Sequence, residues 1–293
     1  MSTGRGTAGD DRPGVGRIAL VGDPVSASVS PRMQNAAFRE RGLPFEYEAV
    51  RVPRGDLVAR FPSLRERYAG LNVTIPHKEE AARLVDVLEP AARASGSVNT
   101  VVFRHGRAFG DSTDGQGFLR ALRRGAPGRE IRTGLIVGTG GAARAVAAAL
   151  VGDGIAVRVA GRDREAGTRL ARDIAGVEAV ALEELDLALD DSDLLVSAVP
   201  SAAWDEGALP EVPFGPELVV FDLAYRPRRT ALLERAAREG SPTIEGIEML
   251  VEQGALSFLL WTGVEPPRAV MREAAYDALG KDEEPLPVEP VAG

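Results

Sequence analysis

Lys78 ends the run Asn72-Val73-Thr74-Ile75-Pro76-His77-Lys78. A β-branched stretch, the hydroxyl of Thr74 and a proline place this amine at the mouth of a strand-to-helix turn. An amine there can give or take a proton for a small molecule. That chemistry needs a partner acid, an anion cradle and a cofactor loop, and the sequence offers a candidate for each. Asp114, in Gly110-Asp111-Ser112-Thr113-Asp114-Gly115, is the acid, although an Asp in the first turn of a helix also serves the helix itself. A helix N-terminus disfavours the Lys78 cation and a nearby carboxylate favours it, so the balance stays open at this level. Asn99 is a further polar candidate, or a turn-stabilising amide.

Ser28 and Ser30 lie in Gly22-Asp23-Pro24-Val25-Ser26-Ala27-Ser28-Val29-Ser30-Pro31. Two residues apart in extended backbone, their hydroxyls would face one side. Pro31 suits the first helical position, which makes Ser30 the expected N-cap. Two hydroxyls at a helix N-terminus form a neutral cradle for a carboxylate, or merely a cap and a loop.

The run Leu135-Ile136-Val137-Gly138-Thr139-Gly140-Gly141-Ala142-Ala143 matches the dinucleotide pattern G-x-G-x-x-A between a strand and a helix. Gly138 permits the tight turn, Gly140 lets the backbone approach a pyrophosphate, and Ala143 allows close helix–strand packing. No Gly-Lys-Ser/Thr follows, so the loop is not a P-loop. The next strand ends in Ala160-Gly161-Arg162-Asp163-Arg164. Where an NAD site usually carries an acid, Gly161 has no side chain. Arg162 and Arg164 suit the 2′-phosphate of NADP, since guanidinium pairs with phosphate bidentately. Asp163 keeps NAD open, by reaching a ribose or by capping the helix.

Elements must carry these groups. Short apolar runs at 18–21, 45–50 and 70–74 read as strands, and helices are expected over 31–41 and from residue 78. A hairpin turns at His105-Gly106, between strands 98–103 and 107–110, and a helix covers 113–124. Gly125-Ala126-Pro127-Gly128 is the linker, after which the alternation restarts. Strands are expected at 134–137, 156–160, 194–198 and 219–222, and helices at 142–151 and 164–174. The pattern predicts a two-domain α/β protein with a doubly wound second unit. Two last helices, 246–262 and 267–278, follow the final strand.

The chain of 293 residues suits two domains. It has no cysteine and two histidines, which excludes disulfides, thiolate nucleophiles and Cys- or multi-His-ligated metal. A net charge of −8 argues against a general nucleic-acid surface. No apolar run reaches the ~20 residues of a membrane span. The first residues lack the apolar core of a signal peptide, so cytoplasmic residence is the expectation. Residues 1–15 and the tail from 281 to 293 are expected to be disordered.

Taken in order, these segments resemble the shikimate dehydrogenase family. The resemblance rests on the Ser28-x-Ser30-Pro31 segment, Asn72-Val73-Thr74-x-Pro76-x-Lys78, Asn99-Thr100, Thr113-Asp114-Gly115 and the glycine loop. Tyr225-x-Pro227-x-x-Thr230, Gly246-x-x-Met249-Leu250-Val251-x-Gln253 and Trp261-Thr262-Gly263 complete it. The resemblance implies reversible reduction of 3-dehydroshikimate to shikimate with NADPH. It implies an N-terminal substrate domain over 16–125, completed by helices 246–280, and a Rossmann domain over 126–245, with a cleft between them. It makes Lys78 and Asp114 the acid/base pair and gives the substrate carboxylate to Ser28 and Ser30, with Tyr225 nearby. Thr74, Asn99 and Gln253 would bind ring hydroxyls. Gly138, Thr139, Gly140, Gly141, Ala142, Ala143, Arg162, Asp163, Val199, Gly246 and Met249 would bind the cofactor. The chain departs from the family pattern at Ala27, Gln34, His77, Ser112 and Gly161-Arg162-Asp163. His77 is expected to face solvent at its helix start. Two other readings stand beside this one: an NAD-dependent quinate/shikimate dehydrogenase, and a non-catalytic metabolite sensor on the same fold. A small-molecule partner and a monomer or homodimer are expected.

Overall fold

The computed structural model describes residues 16–205, 209 and 212–280. The two tails expected to be disordered lie outside the described residues. The first unit runs β1 (Gly16–Gly22), α1 (Ser30–Glu40), β2 (Phe45–Arg51), α2 (Leu57–Arg67), β3 (Gly70–Val73), α3 (Lys78–Leu84) and β4 (Val87–Leu88). It continues through α4 (Pro90–Ser95), β5 (Thr100–Arg104), β6 (Arg107–Asp111) and α5 (Asp114–Gly125). Its strands form one mixed sheet in the order β2-β1-β3-β5-β6-β4.

The second unit runs β7 (Thr133–Val137), α6 (Gly141–Gly152), β8 (Ala156–Ala160), α7 (Arg164–Asp173), β9 (Val177–Ala179), α8 (Leu185–Asp190) and β10 (Leu194–Ser197). Then come α9 (Ala202–Asp205), β11 (Val219–Asp222), α10 (Ala231–Arg238) and β12 (Thr243–Glu245). The sheet order is β12-β11-β10-β7-β8-β9, and every pairing in it is parallel. The chain reverses its direction of growth at β7, the first strand, so the crevice opens at the carboxyl ends of β7 and β10. The chain closes with α11 (Gly246–Thr262) and α12 (Arg268–Gly280).

Both sheets are covered on both faces, and the sequence alternates accordingly. In β1, Ile18 and Leu20 pack on one face and Ala19 and Val21 on the other. In β7, Ile136 faces one core and Leu135 and Val137 the opposite one. The last two helices return to the first unit. Ile247, Val251, Ala255 and Phe258 of α11 share a core with Met33 and Phe38 of α1. Their spacing of four, four and three residues is one face of a helix. Met271 and Ala275 of α12 complete this layer.

Helix α5 joins the layers. A β-carbon built on Gly115 would lie 2.6 Å from the carbonyl oxygen of Ala145 in α6. One built on Gly117 would lie 2.6 Å from the backbone nitrogen of Gln253 in α11. The two glycines therefore let two helices close on α5 to backbone distance. Gly117→Val must push α11 away and overpack the seam, a class of change that costs about 1–3 kcal/mol. We expect a lower melting temperature together with a loss of turnover larger than the loss of stability alone would give. Calorimetry and initial rates on the same preparation check this.

Candidate active site

A cleft of about 480 Å³ lies between the two sheets. Lys78, Asp114, Asn99 and Gln253 line its floor. Ser28, Ser30 and Thr74 line the side formed by the first unit, and Tyr225 reaches them from the loop after β11 of the second unit. Ala142, Val199, Gly246 and Met249 line the side toward the glycine loop. The other loop residues, Gly138, Thr139, Gly140, Gly141 and Ala143, do not line the cleft, and neither do Arg162 and Asp163.

Lys78 opens α3 and Asp114 opens α5, so two helix starts face each other. The Lys78 Nζ donates to Asp114 Oδ2 at 2.6 Å, with side-chain exposures of 12% and 6%. Removing either partner of such a shielded pair leaves an uncompensated charge. The other Asp114 oxygen, Oδ1, accepts from Asn99 Nδ2 at 2.9 Å. The backbone N–H of Thr113 donates to Asn99 Oδ1 at 2.8 Å, which fixes which end of the amide faces Asp114. The same Asn99 NH₂ also faces Thr113 Oγ1 at 2.8 Å and Gln253 Oε1 at 3.1 Å.

A buried layer supports this floor. Ser257 Oγ lies 2.7 Å from Thr100 Oγ1 and 3.2 Å from Thr113 Oγ1, and it accepts from Asn72 Nδ2 at 3.1 Å. Tyr47 donates to Asn72 Oδ1 at 2.7 Å. Burial pushes the Tyr47 hydroxyl well above its usual range, which keeps it a neutral donor. Motif reading assigns no role to Tyr47, Asn72, Thr100 or Ser257. One signal is present all the same: Ser257 lies four residues after Gln253, on the same face of α11.

Two expectations change at the anion cradle. The stretch before α1 is not extended: Ser28 N–H bonds Val25 O at 3.1 Å in a turn. Ser30 is the first helical residue rather than the cap, because Val29 already has helical backbone angles. The turn, not strand alternation, gathers the two serines, and Ser30 N–H donates to Ser28 Oγ at 3.2 Å. Tyr225 lines the cleft beside Ser28. Burial raises its pKa, against the opposing effects of the Ser28 hydroxyl and of the Arg226 charge.

His77 also departs from expectation. It is 1% exposed and does not line the cleft. Its Nε2 lies 2.6 Å from Val52 O and its Nδ1 3.1 Å from Glu80 Oε2. The end of β2 covers it, which the local helix-start pattern does not reveal.

The glycine loop divides its labour. Gly138 has φ +127°, and a β-carbon there would lie 2.7 Å from Ala198 O. A β-carbon on Gly141 would lie 2.9 Å from Lys78 Cβ, so this glycine lets α6 rest on the lysine stem. Gly140 faces open space and caps α6 without a side-chain bond, leaving the first N–H groups of the helix for an anion. Arg162 is exposed, with no ion pair among the described residues. Arg164 lies 3.5 Å from Glu183. Asp163 Oδ1 accepts from Ala166 N–H at 2.9 Å as the cap of α7. An open diphosphate seat, a free guanidinium beside it and an acid already used as a cap fit NADP.

A shielded lysine–aspartate pair facing a glycine-loop sheet across a cleft fits the class of two-domain, nucleotide-dependent oxidoreductases. Three family descriptions match the chain in order. They are the shikimate dehydrogenase substrate binding domain at residues 20–101, shikimate/quinate 5-dehydrogenase at 126–229 and the shikimate 5′-dehydrogenase C-terminal domain at 246–276. The shikimate dehydrogenase (NADP⁺) of Methanopyrus kandleri is 42% identical over 276 residues, covering 89% of this chain and 95% of that protein. A solved shikimate dehydrogenase in complex with NADP⁺ superposes with a TM-score of 0.83 at 35% identity, over 91% of this chain and 96% of that one. The Thermus thermophilus enzyme in complex with NADP(H) and shikimate gives 0.80 at 38% identity, over 90% and 100%. The chain belongs to the shikimate dehydrogenase family.

Proposed function

We propose that this protein catalyses the reversible NADPH-dependent reduction of 3-dehydroshikimate to shikimate. The observation that carries the reading is the shielded 2.6 Å pair of Lys78 and Asp114 on the cleft floor, with the first turn of α6 resting on the lysine stem. The known activity of the relatives supports it.

Ser28, Ser30 and Tyr225 orient the substrate carboxylate with neutral hydroxyl donors. Thr74, Asn99 and Gln253 face the ring hydroxyls. NADPH, when bound, supplies the hydride, and the residues fitted to hold it are Gly138–Ala143, Arg162, Val199, Gly246 and Met249. Lys78 Nζ donates the proton to the substrate oxygen on which charge develops, and takes it back in the reverse direction. Asp114 holds the ammonium in place, and Asn99 holds Asp114. Asp163 caps α7 through Oδ1, which favours Arg162 over it as the group that selects the nucleotide.

The domain boundaries belong to the same proposal: 16–125 with 246–280 as the substrate domain and 126–245 as the nucleotide domain. Cytoplasmic residence and a monomer or homodimer complete it. No helix among the described residues is long and apolar enough to cross a membrane.

The test is a steady-state comparison of shikimate and quinate with NADP⁺ and NAD⁺. We expect shikimate with NADP⁺ to give the highest kcat/KM. A tenfold preference for NAD⁺ would overturn the cofactor assignment. Tight shikimate binding with no turnover in any combination would favour the metabolite sensor instead.

A further inference from the structure

Three charged side chains line the cleft: Lys78, Asp114 and Arg226. Lys78 and Asp114 neutralise each other at 2.6 Å. Arg226 follows Tyr225 in the loop after β11, so it belongs to the nucleotide side of the cleft. Its Nε reaches across and donates to Ala27 O at 3.0 Å. That carbonyl immediately precedes Ser28. A guanidinium has five N–H donors, and among the described residues the other four have no acceptor. Nor does Arg226 have an acidic partner there. The acid of the Ser28 segment, Asp23, is already paired with Arg51 at 2.8 Å, and that guanidinium holds it below the usual carboxylate range. The Arg226 charge also acts on the Tyr225 hydroxyl, which lines the cleft with Ser28. The seat formed by Ser28, Ser30 and Tyr225 therefore carries one uncompensated positive charge, supplied from the opposite wall of the cleft.

We propose that Arg226 is the specificity-determining cation for the substrate carboxylate, binding it together with Ser28, Ser30 and Tyr225 while bridging the two walls of the cleft through Ala27. The proposal rests on the shikimate reading above and adds a charge to a seat otherwise built of neutral hydroxyls. Its chemical consequence is discrimination. A cleft with Arg226 prefers a carboxylate to the uncharged ester of the same ring, because only the anion forms charge-assisted bonds with the guanidinium. A residue that merely tied the two walls together would favour acid and ester alike.

The test is equilibrium binding of shikimate and of shikimate methyl ester to the whole protein, by calorimetry, in the unaltered protein and in Arg226→Met and Arg226→Lys. Circular dichroism checks that the variants fold, and Arg226 is exposed, so its replacement leaves the cores untouched. Charge-assisted bonds of this type correspond to about a tenfold to hundredfold change in affinity. Arg226→Met is expected to weaken shikimate by that factor while the ester changes by less than about threefold. Arg226→Lys restores part of the acid preference. The preference in the unaltered protein is expected to shrink as salt is added. An acid-to-ester ratio that is the same in all three proteins overturns the proposal, as does equal loss of both ligands. Turnover of shikimate by the unaltered protein is measured in parallel. Binding without turnover would refute the enzymatic reading and still decide the role of Arg226. Binding of neither ligand would refute both.

Discussion

Replacing Lys78 with methionine is expected to lower kcat about 10³-fold while shikimate still binds. The estimate follows from general acid–base catalysis, which typically contributes 10²- to 10⁴-fold. Methionine keeps much of the lysine stem on which Gly141 rests, so α6 stays seated. It removes the ammonium that faces Asp114 at 2.6 Å. The loss should also appear in stability. Asp114 is 4% exposed and, among the described residues, keeps only the Asn99 amide as its side-chain partner. Breaking one side of a buried pair costs about 3–5 kcal/mol. The double variant Lys78→Met with Asp114→Asn removes the stranded charge, so it should regain most of the stability and none of the activity. Thermal melts and initial rates on the two variants separate the two effects. A single variant that is stable and as slow as the double one would place the cost in chemistry alone.

Arg162→Ala is expected to lower kcat/KM for NADPH about tenfold to hundredfold and to leave NADH nearly unchanged. Hydrogen bonds to a charged group are worth about 1.5–3 kcal/mol, and a 2′-phosphate is the only part of NADPH that NADH lacks. Among the described residues Arg162 has no ion-pair partner, whereas Arg164 sits near Glu183 at 3.5 Å and Asp163 caps α7 through Ala166. Equal losses with both cofactors would mean that Arg162 serves the loop rather than the phosphate. Kinetics with both reduced cofactors, on the variant and the unaltered protein, read this directly.

Groups at element junctions could be read from the sequence. Lys78, Asp114 and the glycine loop each stand where a strand or loop becomes a helix, and a local pattern reports such places. The doubly wound second unit could be read as well, since its buried strands are short apolar runs between helices. Groups whose meaning depends on a distant partner could not. Ser257 and Asn72 meet because α11 returns to pack on the first unit, 185 positions away from Asn72. His77 is buried because the end of β2 lies over it. Arg226 stands far along the chain from the serine segment that it meets; its bond to Ala27 spans 199 positions. Helix α2 carries an apolar stripe at Leu57, Phe61 and Leu64, but Pro62 inside it disguises the period. Ser30 is a lesson in scale. The expected cap was off by one residue because a turn over 25–28 brings the backbone to helical angles at Val29.

The most direct measurement of the central claim is the initial rate of NADP⁺-dependent shikimate oxidation by the unaltered protein and by Lys78→Met, with shikimate affinity measured on both. We expect turnover by the first, a rate about 10³-fold lower for the second, and similar shikimate affinity for the two. Equal rates in the two proteins would contradict it.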